Sequence, residues 1–455
     1  KFLSLVLALV MTMSLVTVSA GAKDFTDDDS ITYQEAVDVI SEIGVVDGYA
    51  AGDFKPNEVL TRGAAAKIIC NLILGPTTAS ALSADTAPFK DVPVTNTFAG
   101  YITYCSQQGI INGYADGTFR PTGTLSGNAF MKMLLGALGY DSSIEGYTGG
   151  NWSVSVIKQA AGIGLDDGND EFVGSKAVTR EEAALYASNM LQATMVEYDA
   201  KTTVNVNGAT VTVAGNKAQD KAWGTATNND GNIDDDGFVQ FAEQYFDKLT
   251  LRSVVDSFGR PSNRWANKGV EIGTYPKTAG ASYTENVTLG TIYADLGMTD
   301  KDEKAEVYVD GVLASELAKV SKGNDAKIAD LKFAGTDKCS VGNGTLVEAY
   351  LDEDTNDVTI ACINTYVAEV NKVVAASGNK DAYITLSDTT NEGRMPAKFS
   401  PSDEFETEGF ESDDIVLFTY SNADEEIKSV VKAESVTGAL SKLVLTKSVS
   451  LGEET

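Results

Sequence analysis

Residues 109–121 read GIINGYADGTFRP, and residues 44–56 read GVVDGYAAGDFKP. Both have an opening Gly, an apolar pair, Gly-Tyr, a further Gly, a Phe and a basic residue before Pro, at a constant offset of 65 residues. A shorter relative of the loop stands at residues 164–168, GLDDG. A loop spelled more than once implies a repeated structural unit, so the text on either side of it decides the fold.

That text is helical. Thr32 and Glu35 fit a capping box, and Ala36, Val37, Ile40 and Ile43 follow at helical spacing until Gly44. Thr61 opens a second helix with Ala65, Ile68, Ile69 and Leu72 on one face, and Gly75-Pro76 stops it. Residues 98–108 and 126–138 repeat the pair, and residues 152–161 and 179–191 make a third. Units this small cannot bury an adequate core alone, so the three are expected to pack together.

The chain has 455 residues, 43% of them hydrophobic and 22% charged, a composition that folds. Its formal net charge of −30 repels nucleic acid at long range, so an anionic partner requires a locally basic site. The first residues, KFLSLVLALVMTMSLVTVSAGA, run from a lysine through an apolar stretch to small residues. A cleaved signal over residues 1–22 is expected, hence an exported protein with no membrane segment after cleavage. Histidine is absent, which removes Ser-His-Asp and Cys-His catalysis and His-ligated metals. Of four cysteines, Cys70 and Cys105 lie on apolar helical faces and read as small core residues. Cys339 and Cys362 flank strand-like runs, where a disulfide is an open alternative.

From about residue 200 the period changes from helix to strand. Residues 203–213, TVNVNGATVTV, alternate around Asn207-Gly208 and predict a hairpin. A helix is expected over about 238–250, with Phe238, Phe241, Tyr245 and Leu249 on one face. Two further hairpins are expected, 347–351 with 358–363 and 415–420 with 427–431. The last residues have a β pattern without a terminator, as in a chain that continues.

Two places offer chemistry. In LTRGAAAK (60–67) and VTREEAAL (178–185), Thr61 and Thr179 are good N-caps, and Glu182 completes a capping box behind Thr179. Capping does not explain Arg62 and Arg180 at N1, where the helix dipole disfavours a cation. An arginine fork beside the free N–H groups of a helix start suits a carboxylate or phosphate, so both are candidate anion ligands. The middle unit has Ser126-Gly127 there and loses the cation. The other place is NNDGNIDDDGFVQFAE, where Asn232, Asp234, Asp236, Gly237 and Glu243 occupy positions 1, 3, 5, 6 and 12 of an EF-hand-like calcium loop. The plain alternative is an acidic turn that caps the following helix.

FKDV (89–92), an aromatic-led helix, GIINGYADGTFRP and a TR-E helix, in this order, resemble the S-layer homology (SLH) domain, over three copies within about 25–197. The resemblance implies a pseudo-threefold all-α bundle whose grooves bind anionic secondary cell wall polysaccharide, often pyruvylated. It implies glycan contacts at Arg62, Arg180, Thr61, Thr179 and Asp91, with Trp152 as a sugar-stacking face; core packing is the alternative for Trp152. The FGRPSNRW stretch (258–265) is loosely similar to β regions that accompany such triplets.

The expected organisation is a multidomain chain: signal 1–22; SLH copies at 23–78, 85–141 and 148–197; a β-rich region at 200–300 with one helix; and a β-rich, sandwich-like domain from 301 to 455. The expected role is non-catalytic anchoring at the wall or S-layer of a Gram-positive-type bacterium, with self-association in a surface lattice and calcium as the one cofactor considered. The alternatives are an SLH-anchored enzyme of glycoside hydrolase type and an adhesin.

Overall fold

The computed structural model describes residues 23, 25–198, 202–206, 209–213, 217–224, 229–284, 287–298, 303–320, 345–353, 355–375, 377, 383–387 and 409–433. The expected signal segment and Cys339 lie outside them. Contacts divide the chain into two units, residues 21–252 with 265–273, and residues 253–264 with 274 onward. Among the described residues no helix is long and apolar enough to cross a membrane.

The N-terminal unit holds three helix pairs: α1 (Gln34–Glu42) with α2 (Arg62–Leu74), α4 (Ala99–Gln107) with α5 (Gly127–Leu138), and α6 (Trp152–Gly162) with α7 (Arg180–Gln192). A short α3 (Pro76–Ser80) follows α2, with Pro76 at its first position. Gly44, Gly109 and Gly164 each follow a first helix at φ 76°, 74° and 71°, a conformation that glycine adopts without strain. The second helices are capped by Thr61, Ser126 and Thr179, whose hydroxyls accept from Ala64, Ala129 and Glu182 N–H. The capping box at Thr179–Glu182 forms as expected.

The expected box at Thr32–Glu35 does not form. Tyr33 is the N-cap of α1 and offers no side-chain bond. Thr32 N–H donates instead to the Glu181 carboxylate, and Glu35 accepts from the Trp265 indole. Tertiary partners outbid the local motif.

The three pairs meet in a closed ring of backbone hydrogen bonds. Leu60 N–H donates to Val178 O (2.9 Å), Val178 N–H to Leu125 O (2.9 Å) and Leu125 N–H to Leu60 O (3.0 Å). All three side chains are buried. The helix starts donate in the opposite sense, first pair to second, second to third and third to first. Arg62 and Gly63 N–H donate to Gly123 and Pro121 O; Gly127 and Asn128 to Lys176 and Gly174 O; Arg180 and Glu181 to Glu58 and Pro56 O.

Strand β1 (Val196–Tyr198) pairs antiparallel with β4 (Ala218–Asp220), and β2 (Thr202–Val206) with β3 (Ala209–Val213), in the register of the expected hairpin. The helix expected over 238–250 is only α8 (Phe241–Tyr245). Gln240 and Glu243 box its start, while Leu249 and Thr250 already belong to a strand. Phe238 precedes the helix and is exposed. A three-stranded sheet follows, β5 (Leu249–Val255), β6 (Pro261–Asn267) and β7 (Val270–Pro276) in that order, and the division between the units runs through these strands.

The C-terminal unit is organised by one long strand. Strand β12 (Val358–Val374) pairs near its start with β11 (Thr345–Leu351) and, in parallel, with β9 (Glu303–Val309). Near its end it pairs with β13 (Tyr383–Ser387) and β14 (Ile415–Ser421). Strands β8 (Ala281–Tyr283), β10 (Val312–Val320) and β15 (Glu426–Lys432) complete eight strands. Both expected hairpins are present, as β11–β12 and β14–β15. A sandwich-like arrangement was expected; the described strands join through β12, with one apolar cluster on each half of it. Helix α9 (Leu289–Asp295) puts Leu289, Ile292 and Tyr293 into the same core as Ala305 and Val307, across the expected boundary at 300.

Candidate anion-binding site

The repeated loop is built from a carboxylate outward. Asp91 accepts from Phe119 N–H and Arg120 N–H, both at 2.7 Å. Asp27 does the same for Phe54 (2.7 Å) and Lys55 (2.8 Å). Burial pushes both carboxyls up, but the backbone N–H donors outweigh it and hold them below the usual value. The two clamps fix Lys55 and Arg120 at φ 57° and 59°, uncommon for residues other than glycine, immediately before Pro56 and Pro121. Phe25 packs on Phe54 and Phe89 on Phe119, at centroid distances of 5.3 and 5.4 Å.

The clamped loops receive the candidate arginines, each from another repeat. Arg62 donates from Nε to Phe119 O (2.8 Å) and from Nη2 to Asn112 O (3.1 Å). Arg180 donates from Nε to Phe54 O (2.9 Å) and from Nη2 to Asp47 O (3.0 Å). The Arg62 guanidinium also lies 4.4 Å from the Phe119 ring and 5.1 Å from the Tyr114 ring; Arg180 lies 4.8 Å from both Phe54 and Tyr49. A second cation covers each tyrosine, Arg120 at 4.1 Å from Tyr114 and Lys55 at 4.1 Å from Tyr49. Burial lowers the Arg62 pKa, and Arg120 adds to the effect while Tyr114 and Asp91 oppose it. An arginine so placed stays charged. Each fork spends two of its five N–H donors on loop carbonyls, which sets its plane and leaves the others for a ligand.

This geometry revises the chemistry expected from sequence. The helix starts are not open anion sites, because the first two N–H groups of α2 and α7 are taken by carbonyls of another repeat and the third by the cap. Those carbonyls also explain why a cation is tolerated at N1. Thr61 and Thr179 serve their own helices as caps. Asp91 clamps a loop and has both oxygens engaged by the backbone. Trp152, at the first position of α6, does not join either arginine. It lies under Lys132 Nζ at 5.7 Å, and that ammonium donates to Tyr147 O at 2.7 Å.

The third groove has lost its parts together. Gly127 stands where Arg62 and Arg180 stand, and a Cβ there would come within 2.8 Å of the Phe172 ring. Gly174 O plays the role of Pro56 and Pro121 O, so Val173 replaces Lys55 and Arg120. Hydrogen bonding puts the missing arginine of the middle unit and the loop of the third unit in one groove.

Tyr49, Tyr114, Lys55, Arg120 and Asp27 were not picked out from sequence. The signal was there, in the Gly-Tyr pair and the basic-Pro ending common to both intact loops.

The calcium pattern does not form a cage. Glu243 is fully buried and accepts from Trp223 Nε1, Ile233 N–H and Gln240 N–H. Asp236 accepts from Phe238 N–H and Gln240 Nε2, Asp234 from Asp235 N–H, and Asn232 donates to Asp247 O. Among the described residues no three acidic or thiol groups gather to hold a metal. The residues form an acidic turn before α8, but the helix is capped by Gln240 with Glu243 and not by Asp236 or Gly237.

The chain is 26% identical over 170 residues to a surface layer protein of Brevibacillus choshinensis, covering 37% of this chain and 15% of the relative. It is 28% identical over 156 residues to a cellulosome-anchoring protein of Acetivibrio thermocellus, covering 32% and 35%. It is 34% identical over 105 residues to an endoglucanase of Bacillus sp. (strain KSM-635), covering 22% and 11%. The chain thus spans well under half the length of each. Two stretches, residues 24–66 and 88–127, match the S-layer homology domain.

Proposed function

We propose that the chain anchors a surface protein non-covalently to the bacterial cell wall, and that residues 25–197 form three SLH copies around a pseudo-threefold axis. The three-way ring through Leu60, Leu125 and Val178 supports the axis. The ligand is an anionic wall polysaccharide, carrying carboxylate, pyruvyl or phosphate groups. Two grooves take it: Arg180 with Tyr49 and Lys55, and Arg62 with Tyr114 and Arg120. One observation carries this reading. On a chain of net charge −30, each intact loop brings two cations to one tyrosine face. Tyr49 and Tyr114 remain 39% and 43% exposed, so a sugar ring can reach them. The role is structural, with the acidic β-rich unit carried at the surface and self-association forming a lattice; no catalytic step is assigned.

The test is sedimentation with purified wall polysaccharide. Arg62→Ala with Arg180→Ala is expected to abolish co-sedimentation while the helical circular dichroism persists. Unchanged sedimentation overturns the reading. Release of reducing sugar from wall glycan by the chain would overturn the non-catalytic role.

A further inference from the structure

We infer that Cys70 and Cys105 are a disulfide site that staples two helix pairs of the N-terminal unit together. Cys70 is on α2 and Cys105 on α4, 35 residues apart, and their sulfurs lie 3.5 Å from each other. Both side chains are fully buried. Each sulfur also faces a carbonyl of the opposite helix, Cys70 that of Tyr101 and Cys105 that of Ala66, both at 3.6 Å. Two independent thiols that merely filled core space would not be expected to point at one another across a helix–helix contact. A bond needs the sulfurs to close from 3.5 Å to about 2.05 Å.

The bond joins the two sides of one groove. Helix α2 starts with Arg62, and Phe98, which caps α4, packs against Gly63. The staple therefore ties the arginine-bearing helix to the repeat whose loop receives that arginine.

The chemistry is thiol–disulfide exchange with a low-molecular-weight organic disulfide. One cysteine thiolate attacks the external disulfide and releases one thiolate. The second cysteine thiolate then attacks the mixed disulfide and releases the other. The protein loses two protons and two electrons, and the external disulfide is reduced to two thiols. The Cys70 hydrogen bond and burial both raise the Cys105 pKa, so the closed pair reacts slowly. Bond formation belongs to the interval before α2 and α4 close.

The experiment refolds the reduced full chain with oxidised glutathione, blocks remaining thiols with N-ethylmaleimide, and maps peptides without reduction. A linked Cys70–Cys105 peptide as the main product is expected, together with a rise of several degrees in melting temperature that is absent from the Cys70→Ala, Cys105→Ala double variant. The same map on chain secreted into an oxidising periplasm needs no refolding step. Maleimide or glutathione adducts at both cysteines, in chain with native helical circular dichroism, would overturn the inference.

Discussion

Arg180 donates from Nη2 to the carbonyl of Asp47, 133 residues earlier in the chain, at 3.0 Å. Arg62 makes the same bond to Asn112 at 3.1 Å. In each case an arginine from the second helix of one pair completes the loop of another. The grooves are therefore shared between repeats, and no single repeat contains one.

This sharing predicts that lysine will not replace either arginine. In Arg180→Lys the charge survives, but an ammonium cannot span the carbonyls of Phe54 and Asp47 as the fork does. A loss of about 1–3 kcal/mol in unfolding free energy is expected from the broken bonds. Polysaccharide affinity should fall about tenfold or more. Urea unfolding and co-sedimentation measure the two effects, and wild-type affinity in Arg180→Lys would show that charge alone suffices.

The loop clamps predict a local loss. Asp91→Ala leaves the N–H groups of Phe119 and Arg120 without their carboxylate, at a cost of about 3 kcal/mol. Binding at the Arg62 groove should weaken while the Arg180 groove keeps its affinity, which titration in an Arg180→Ala or Arg62→Ala background separates. The pH dependence has a definite sign. Because Asp27 and Asp91 sit below the usual carboxyl value, their contribution is present above about pH 4 and is lost as the pH falls through their folded values. Acid should release the chain from the wall by loosening the loops as well as by protonating the ligand.

Much of this was legible in the sequence because local rules governed it. The first-helix stops at Gly44 and Gly109, the caps at Thr61, Ser126 and Thr179, and the paired strands from residue 345 onward rest on neighbours along the chain. What was not legible depended on which repeat meets which. Thr32 and Glu35 spell a capping box, yet their partners are Glu181 and Trp265. Trp152 and Arg180 look like parts of one site, yet the indole lies under Lys132. Asp91 enters as a ligand contact only through the family resemblance, and its clamp on Phe119 and Arg120 N–H is set by the fold. A helix over 238–250 was favoured by apolar spacing and lost to the pairing of Leu249 and Thr250 in β5.

The third groove should resist repair. Gly127→Arg restores the charge, but its Cβ meets the Phe172 ring at 2.8 Å, and Val173 offers no second cation. Overpacking of this kind costs about 1–3 kcal/mol. The variant is expected to unfold at lower urea concentration than wild type and to keep the wild-type stoichiometry of oligosaccharide per chain in calorimetry. A gain of one site would mean that the arginine alone makes a groove.

The C-terminal unit should respond to pH in the opposite direction. Asp310, at φ 46° between β9 and β10, is 1% exposed. It accepts from Asn364 N–H (2.8 Å), Asn364 Nδ2 (2.9 Å) and Tyr366 OH (2.7 Å). Burial pushes its carboxyl up to about 6 although these donors oppose the rise. A raised folded value means that the proton favours the folded state. The contribution is fully present below the unfolded carboxyl value of about 4 and is lost as the pH rises through 6. Between pH 7.5 and 4.5 it amounts to about 2 kcal/mol. Asp310→Asn removes the titrating group while its side-chain oxygen can still accept from Asn364 N–H. Amide exchange at Asn364 and Asn422, whose N–H groups bond to Asp310, reads the local stability. Measured against the variant at each pH, wild type should lose protection as the pH rises from 4.5 to 7.5. An equal pH response in both proteins would remove Asp310 as its source.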